Sequence, residues 1–112
     1  MKYMVLIYNR PGFVEELSEA ERSELFGDVD ALLKELTDSG ELLSTHALAD
    51  PATTRTVRVR DGVQAVTDGP FIEAKEQFAG YLLLEASLER AIDVAARWPD
   101  AKKFAMEVRE VL

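Results

Sequence analysis

The chain has 112 residues, of which 47% are hydrophobic and 30% are charged, and its formal net charge is -8. This length and composition indicate one globular domain over residues 1 to 112, with a core of its own and room for an oligomer interface to add stability. The acidic balance argues against binding to nucleic acid or to anionic membranes, and the absence of cysteine excludes disulfides, thiolate catalysis and cysteine-ligated zinc.

The N-terminal residues predict a buried strand. Met1 to Tyr8 form a near-continuous hydrophobic run, which is typical of a strand that is covered on both faces or lies at the centre of a sheet. The run is too short for the hydrophobic region of a secretion signal and far too short to span a bilayer. We therefore expect a cytoplasmic protein that does not enter membranes.

The next segment predicts an amphipathic helix. Ser18 and Glu21 have the spacing of a capping box, in which the serine oxygen accepts an early helix N–H and the glutamate reaches back to the serine N–H. Leucine and valine then recur at helical spacing up to Leu36, and Gly40 is a typical C-terminal stop. Together these signals place the helix at about residues 18 to 39.

Four further strands are predicted in the middle of the chain. ELLSTHALA indicates the first of them, and TTRTVRVR alternates between valine and arginine, as a strand with two different faces does. Asp61-Gly62 separates TTRTVRVR from VQAVT, and Asp-Gly between two such runs is a strong signal for a two-residue hairpin. GYLLLEA then predicts another buried strand.

A second helix precedes the last strand. Ser87 can cap this helix, and Pro99 ends it. Five hydrophobic residues share one face at helical spacing, and we expect this face to pack on the core. They are Leu88, Ala91, Ile92, Ala95 and Trp98. The closing stretch KKFAMEVREVL alternates from Phe104 onward and predicts a strand.

The order of the predicted elements is β-α-β, a hairpin, and β-α-β. This order indicates an α+β fold with a ferredoxin-like β-α-β-β-α-β sheet and an additional β-hairpin. Two helices can cover only one face of such a sheet. Pairing with a second copy of the chain is the economical way to cover the other face, so we predict a homodimer.

The loop between the hairpin and the GYLLLEA strand allows two interpretations. In the structural one, Asp68 caps a turn through Gly69 and Pro70, and Phe71 anchors that turn in the core. In the functional one, the polar residues that follow form a site for proton transfer or anion binding, provided that they are buried. These polar residues are Glu73, Lys75 and Glu76.

Other candidate site residues are scattered along the chain. His46 is the only histidine and therefore a weak candidate for a base, although an isolated histidine is more often structural. Its surroundings in the sequence contain no metal-ligand spacing, and no phosphate-binding, dinucleotide-binding or nucleophile motif is present, so we predict neither a metal nor a cofactor. The candidate pocket residues outside the loop are Tyr8, Asn9, Arg55, Arg58 and Tyr81.

Several of these stretches together resemble the YCII-related superfamily, in the subgroup known for an Asp-Gly-Pro-Phe motif. MKYMVLIY resembles the opening strand of that family, and SLERAIDVAARWP resembles its second helix. The most specific similarity is TTRTVRVRDGVQAVTDGPFIEAKEQFAGYLLLEA, which contains a hairpin, the motif loop, a Glu-x-Lys-Glu run and a Gly-aromatic strand. The sequence departs from the pattern at Ile72, Ala74 and Glu110.

The resemblance implies a dimeric α+β barrel, in which two ferredoxin-like sheets pack face to face. It implies a pocket near the dimer interface that the motif residues line or shape. These are Asp68, Gly69, Pro70, Phe71, Glu73, Lys75, Glu76 and Gly80. Related dimeric barrels include enzymes that act on small, often aromatic or halogenated metabolites without a cofactor, and some relatives use a His-Asp pair. Proteins with this motif are also associated with extracytoplasmic sigma factors.

Three hypotheses follow from these residues. The first is a cofactor-free lyase or isomerase for a small organic metabolite, in which Asp68 or Glu73 takes a proton and Lys75 holds negative charge. Tyr8, Arg55, Phe71, Glu76 and Tyr81 would contact the ligand, while Gly69, Pro70 and Gly80 shape the backbone. The second is a non-catalytic small-molecule sensor that serves a sigma factor. The third is a structural module whose loop only closes the sheet and builds the dimer.

Overall fold

The computed structural model describes all 112 residues, which form six strands, two α-helices and two short 3₁₀ helices. The strands are β1 (Lys2–Asn9), β2 (Leu42–Ala47), β3 (Arg55–Arg60), β4 (Val63–Asp68), β5 (Gln77–Glu85) and β6 (Met106–Val111). The helices are α1 (Glu19–Asp38) and α2 (Leu88–Arg97), and the 3₁₀ helices span Pro51–Thr53 and Pro99–Lys102. None of the helices is long and apolar enough to cross a membrane.

Four strands form one antiparallel sheet in the order β2-β5-β1-β6. Both helices pack on the same face of this sheet, where they join alternate residues of β1 and β5 in a single hydrophobic core. The core residues are Tyr3, Val5, Ile7, Leu32, Leu36, Leu82, Leu84, Ala91, Val94, Ala95 and Trp98. The predicted ferredoxin-like α+β fold is therefore confirmed.

The predicted capping box of α1 and the predicted turn between β3 and β4 are both present. Ser18 Oγ accepts a hydrogen bond from Glu21 N at 3.1 Å, and Ser18 N donates to Glu21 Oε1 at 2.9 Å, so the capping box starts α1. Asp61 and Gly62 both have positive φ, at 50° and 75°, which is the backbone of a tight hairpin turn between β3 and β4.

The hairpin of β3 and β4, which we call the arm (residues 55–68), is a separate two-stranded sheet. The radius of gyration of the chain is 16.1 Å, compared with about 13 Å for a compact domain of this length. Val57, Val59 and Val66 lie on the same face of the arm and are between 50% and 70% exposed. The arm therefore projects from the body and carries a hydrophobic surface that the single chain does not cover.

Three expectations about individual hydrophobic residues are wrong. Phe71 is 71% exposed and does not anchor its loop in the core of this chain, because the loop follows the projecting arm. Leu88 and Ile92 are also exposed, since the buried stripe of α2 is centred on alanine and valine. Phe104 precedes β6 instead of lying in it, and packs edge-on against Phe13 with ring centres 5.0 Å apart.

Candidate functional site

The loop that carries the Asp-Gly-Pro-Phe motif joins β4 to β5, and we call it the motif loop (residues 68–76). It begins with a turn that is hydrogen-bonded to the base of the arm. Asp68 forms an ion pair with Arg55, with 3.2 Å between Oδ1 and Nε, yet the Asp68 side chain is 88% exposed. Gly69 has a φ of 87°, its N–H donates to Thr54 O at 2.8 Å, and Thr56 Oγ1 donates to Gly69 O at 2.6 Å. These contacts fix the backbone of the turn and leave the carboxylate at the surface.

The rest of the motif loop presents its charges to solvent. Glu73, Lys75 and Glu76 are exposed, and Lys75 forms no ion pair. Gln77 Nε2 donates to the carbonyl oxygens of Ile72 at 3.1 Å and Ala74 at 3.0 Å, which orders the loop backbone. A single chain therefore does not gather Asp68, Glu73 and Lys75 into an enclosed pocket.

His46 and Tyr81 lie on the sheet face opposite the helices, which we call the open face. Their rings stack with centres 5.8 Å apart, and the strand register continues this row through Leu6 to Glu107. Tyr8 packs against Phe78 on the same sheet, and a hydrogen bond to the Glu107 carboxylate raises the pKa of its hydroxyl. The open face thus collects aromatic and hydrophobic side chains without a cover.

A pocket that is open on one side lies elsewhere, between α1 and the helix-covered face of the sheet. This cavity has a volume of about 330 Å³, and ten of its fifteen lining residues are hydrophobic. It is lined by Ile7, Asn9, Phe13, Val14, Leu25, Phe26, Val29, Leu33, Thr45, His46, Ala47, Ala79, Gly80, Trp98 and Asp100. His46 contributes its backbone, because its imidazole stacks on Tyr81 across the sheet.

Gly80 allows β2 and β5 to approach each other closely at the wall of this cavity. A Cβ at position 80 would lie only 2.7 Å from the carbonyl oxygen of His46 and 3.2 Å from the Cα of Ala47. Both of these atoms belong to backbone, which cannot move aside as the end of a flexible side chain can. The strand pairing at this point therefore requires a residue without a side chain.

Asp100 is the one polar group of the cavity that is both charged in its usual state and buried, with 6% of its surface exposed. Asn9 Nδ2 donates a hydrogen bond to Asp100 Oδ2 at 3.0 Å. Burial raises the pKa of the Asp100 carboxyl, and hydrogen bonds from Asn9, from its own backbone N–H and from the Trp98 indole oppose that rise. An acid in such a place can accept a hydrogen bond from a ligand or exchange a proton with it.

Sequence reasoning named Asn9 as a pocket residue but missed Asp100. The stretch Trp98-Pro99-Asp100 indicates only the end of a helix, and acidic residues are common in such turns. The signal that distinguishes Asp100 is its contact with Asn9, which lies 91 residues earlier in the chain. No group of three or more histidine, aspartate or glutamate side chains is placed to hold a metal ion.

Comparison with known proteins gives two matches. The family model of the YCII-related domain matches residues 1–112. An uncharacterized protein of Rhizobium meliloti (strain 1021) is 34% identical over 96 residues, which are 85% of this chain and 77% of that protein. The family match covers the whole chain, including β1, the arm and the wall of the cavity. The chain therefore belongs to the YCII-related domain family.

Proposed function

We propose that this protein binds a small organic molecule in the cavity between α1 and the sheet. The observation that carries the proposal is a concave volume of about 330 Å³ with mostly hydrophobic walls and one buried carboxyl group. Ligand sites typically combine a pocket of about 300–1,000 Å³ with a few polar groups that orient the ligand. A dry cavity of about 150 Å³ is already enough to bind benzene.

Cofactor-free catalysis on the bound molecule, of the lyase or isomerase type, is a second candidate function. The observation that favours it is the raised pKa of Asp100, because a carboxyl titrating closer to neutral pH is a better general acid or base. The hydrophobic walls around Asp100 would keep water away from a proton in transfer. Asp100 would then act on the ligand directly, since it lines the same cavity.

The motif loop retains its proposed roles only in the context of a homodimer. Asp68 or Glu73 would accept a proton and Lys75 would hold negative charge, and a second copy would have to enclose them because they face solvent in one chain. The exposed valines of the arm and the hydrophobic residues of the open face support such a partner. Phe71 and Tyr81 would then line the shared surface.

Two non-catalytic alternatives use the same features. In the sensor alternative, occupancy of the cavity would be passed to a regulatory partner such as an extracytoplasmic sigma factor, a partner that the family resemblance implies. In the structural alternative, the loop serves the dimer alone. The ion pair of Arg55 with Asp68 and the hydrogen bonds of Gly69 favour this alternative, because they hold the loop against the base of the arm.

The binding proposal can be tested with the fluorescence of Trp98, which is the only tryptophan and lines the cavity. A titration with 2-phenylethanol, a small neutral aromatic probe, should change this fluorescence in a saturable manner. Val29→Phe should abolish the change, because the larger side chain of α1 would occupy the cavity. Ile92→Phe is the matched control, since Ile92 is exposed on α2 and does not line the cavity.

Saturable binding to the wild type and to Ile92→Phe, with loss in folded Val29→Phe, would support the proposal. Thermal unfolding of each variant establishes that it is folded. Equal binding by Val29→Phe and the wild type would show that the probe binds outside the cavity. A response that stays linear up to the solubility limit of the probe would also contradict the proposal, because it indicates no site.

A further inference from the structure

The cavity ends at a carboxylate that lacks a positive partner. Asp100 receives a hydrogen bond from the amide of Asn9, and none of the ion pairs of the protein includes it. No lysine or arginine lines the cavity. A buried carboxylate without a counter-charge is unfavourable when ionised, and a bound cation would remove that penalty. The site therefore has an uncompensated negative charge, which favours a cationic ligand.

A second depression adjoins the cavity at Asp100, and we call it the acidic groove. It shares Phe13, Leu25 and Asp100 with the cavity. Its charged lining residues are Glu21, Glu24, Asp28, Asp100, Lys102 and Lys103, which are four carboxylates against two ammonium groups. The groove therefore surrounds the polar end of the cavity with net negative charge, in a protein whose overall charge is already -8.

The remaining polar groups at the cavity do not favour an anionic ligand. The amide of Asn9 already donates to Asp100, and the hydroxyl of Thr45 donates to the carbonyl oxygen of Tyr81 at 2.8 Å. A ligand carboxylate or phosphate at this end would thus face Asp100 with no cationic side chain of the cavity to balance it. A ligand ammonium group would instead gain a charge-assisted hydrogen bond to Asp100.

We infer, building on the proposed binding function, that the cavity takes a hydrophobic ligand with a protonated amine at one end. Its hydrocarbon or aromatic part fills the space between α1 and the sheet. Its ammonium group meets Asp100 at the border with the acidic groove. Asp100 is then the residue that selects the ligand by charge. Because of it, the cavity should prefer amines to alcohols and carboxylic acids of the same shape.

Three probes with the same ring test this assignment on the wild-type protein at pH 7. They are 2-phenylethylamine, 2-phenylethanol and phenylacetate, which end in a cation, a neutral hydroxyl and an anion. The titrations follow Trp98 fluorescence, and calorimetry confirms the stoichiometry. We expect the amine to bind on the order of tenfold more tightly than the alcohol, the gain typical of a hydrogen bond to a charged group. Phenylacetate should bind most weakly.

Asp100→Asn should remove the preference for the amine while leaving the binding of 2-phenylethanol within about twofold, because the side chain keeps its shape and loses its charge. Asp30→Asn is the matched control, since Asp30 is exposed on α1, forms no ion pair and does not line either depression. This control should retain the full preference. It separates the effect of Asp100 from a general loss of negative charge.

The possible results distinguish failure of the charge preference from failure of binding itself. If the alcohol or the acid binds as tightly as the amine, or if folded Asp100→Asn keeps the preference, the inference is overturned and the binding function stands. If none of the three probes binds the wild type, the binding function fails and the inference fails with it. The wild-type series suffices for this decision even if Asp100→Asn does not fold.

Discussion

Two residues that border the cavity, Gly80 and Asp100, depend on neighbours that are distant in the sequence. The backbone of β2 passes so close to Gly80 that a Cβ there would meet the carbonyl oxygen of His46 at 2.7 Å. Asp100 is held by the amide of Asn9 at the end of β1. Substitutions at either position therefore act on the wall of the cavity and not only on the local chain.

Gly80→Ala should destabilise the protein by roughly 1–3 kcal/mol, because two paired strands would have to separate to admit the methyl group. Gly27→Ala is the control. Gly27 lies within α1 with nothing near its Cβ position. Alanine there should raise the free energy of unfolding by about 0.5–1 kcal/mol, because alanine has the higher helix propensity. Urea unfolding at one protein concentration measures both. A Gly80→Ala variant as stable as the wild type would show that β2 and β5 pair less closely than described.

Asp100 also shows what a sequence pattern can and cannot predict. The capping box at Ser18 and the Asp61-Gly62 turn were predictable because each depends on residues within four positions. The burial of Asp100 depends on the meeting of β1 with the turn after α2. The exposure of Phe71 likewise depends on where the arm points, and a hydrophobic residue after Gly-Pro carries no information about that direction.

At the scale of elements, a network of ion pairs holds the two helices together. Arg90 on α2 donates to Glu35 on α1 at 2.8 Å and to Glu41, just before β2, at 2.9 Å. Arg97 donates to both carboxylate oxygens of Glu35 at 2.8 Å. The hydrogen bonds from Arg97 and Arg90 lower the pKa of Glu35 from 4.5 to about 2. The side chains of Arg97 and Glu35 are both 43% exposed, so this part of the network lies at the surface.

The stabilising effect of Glu35 should therefore depend on pH. Its pKa is lower in the folded than in the unfolded state, so its contribution is fully present above about pH 4.5 and is lost as the pH falls toward 2. The difference in unfolding free energy between the wild type and Glu35→Gln should shrink over that range. Glu24→Gln, which removes an equal charge from α1 outside any ion pair, controls for net charge. A difference that stays constant from pH 7 to pH 2 would contradict the ion-pair network.

The elements themselves were predictable to a large extent, but their exposure was not. All six strands and both helices follow from hydrophobic periodicity and turn residues. Periodicity placed Leu88 and Ile92 on the core face of α2, although the sheet is contacted by the small residues Ala91 and Ala95 instead. The width of a buried stripe depends on how closely the helix approaches the sheet, and this distance is a tertiary property.

At the scale of the whole molecule, the single chain leaves two hydrophobic surfaces uncovered. One is the open face, where Met4, Leu6 and Leu83 remain partly exposed, and the other is the valine surface of the arm. The arm forms a sheet of its own, and both surfaces keep their exposure in the single chain. A second copy of the chain is the cover that the sequence predicts for the open face.

We expect the wild type to sediment with twice the 12.5 kDa mass of one chain. Leu6→Lys should convert it to single chains, because a charge at the centre of the open face would be buried in the dimer. Ile92→Lys, which places the same charge on exposed α2, should leave the dimer intact. Analytical ultracentrifugation over a range of concentrations measures all three. A wild type with the mass of one chain at every concentration would contradict the proposed homodimer.

We propose that a small molecule binds between α1 and the sheet. The most direct test is to record intermolecular nuclear Overhauser effects between 2-phenylethylamine and isotope-labelled protein. We predict contacts from the aromatic ring to the methyl groups of Val29 and Leu33 and to the indole of Trp98, which line the cavity. Contacts only to exposed residues such as Val57 and Phe71 would place the probe on the arm and contradict the claim.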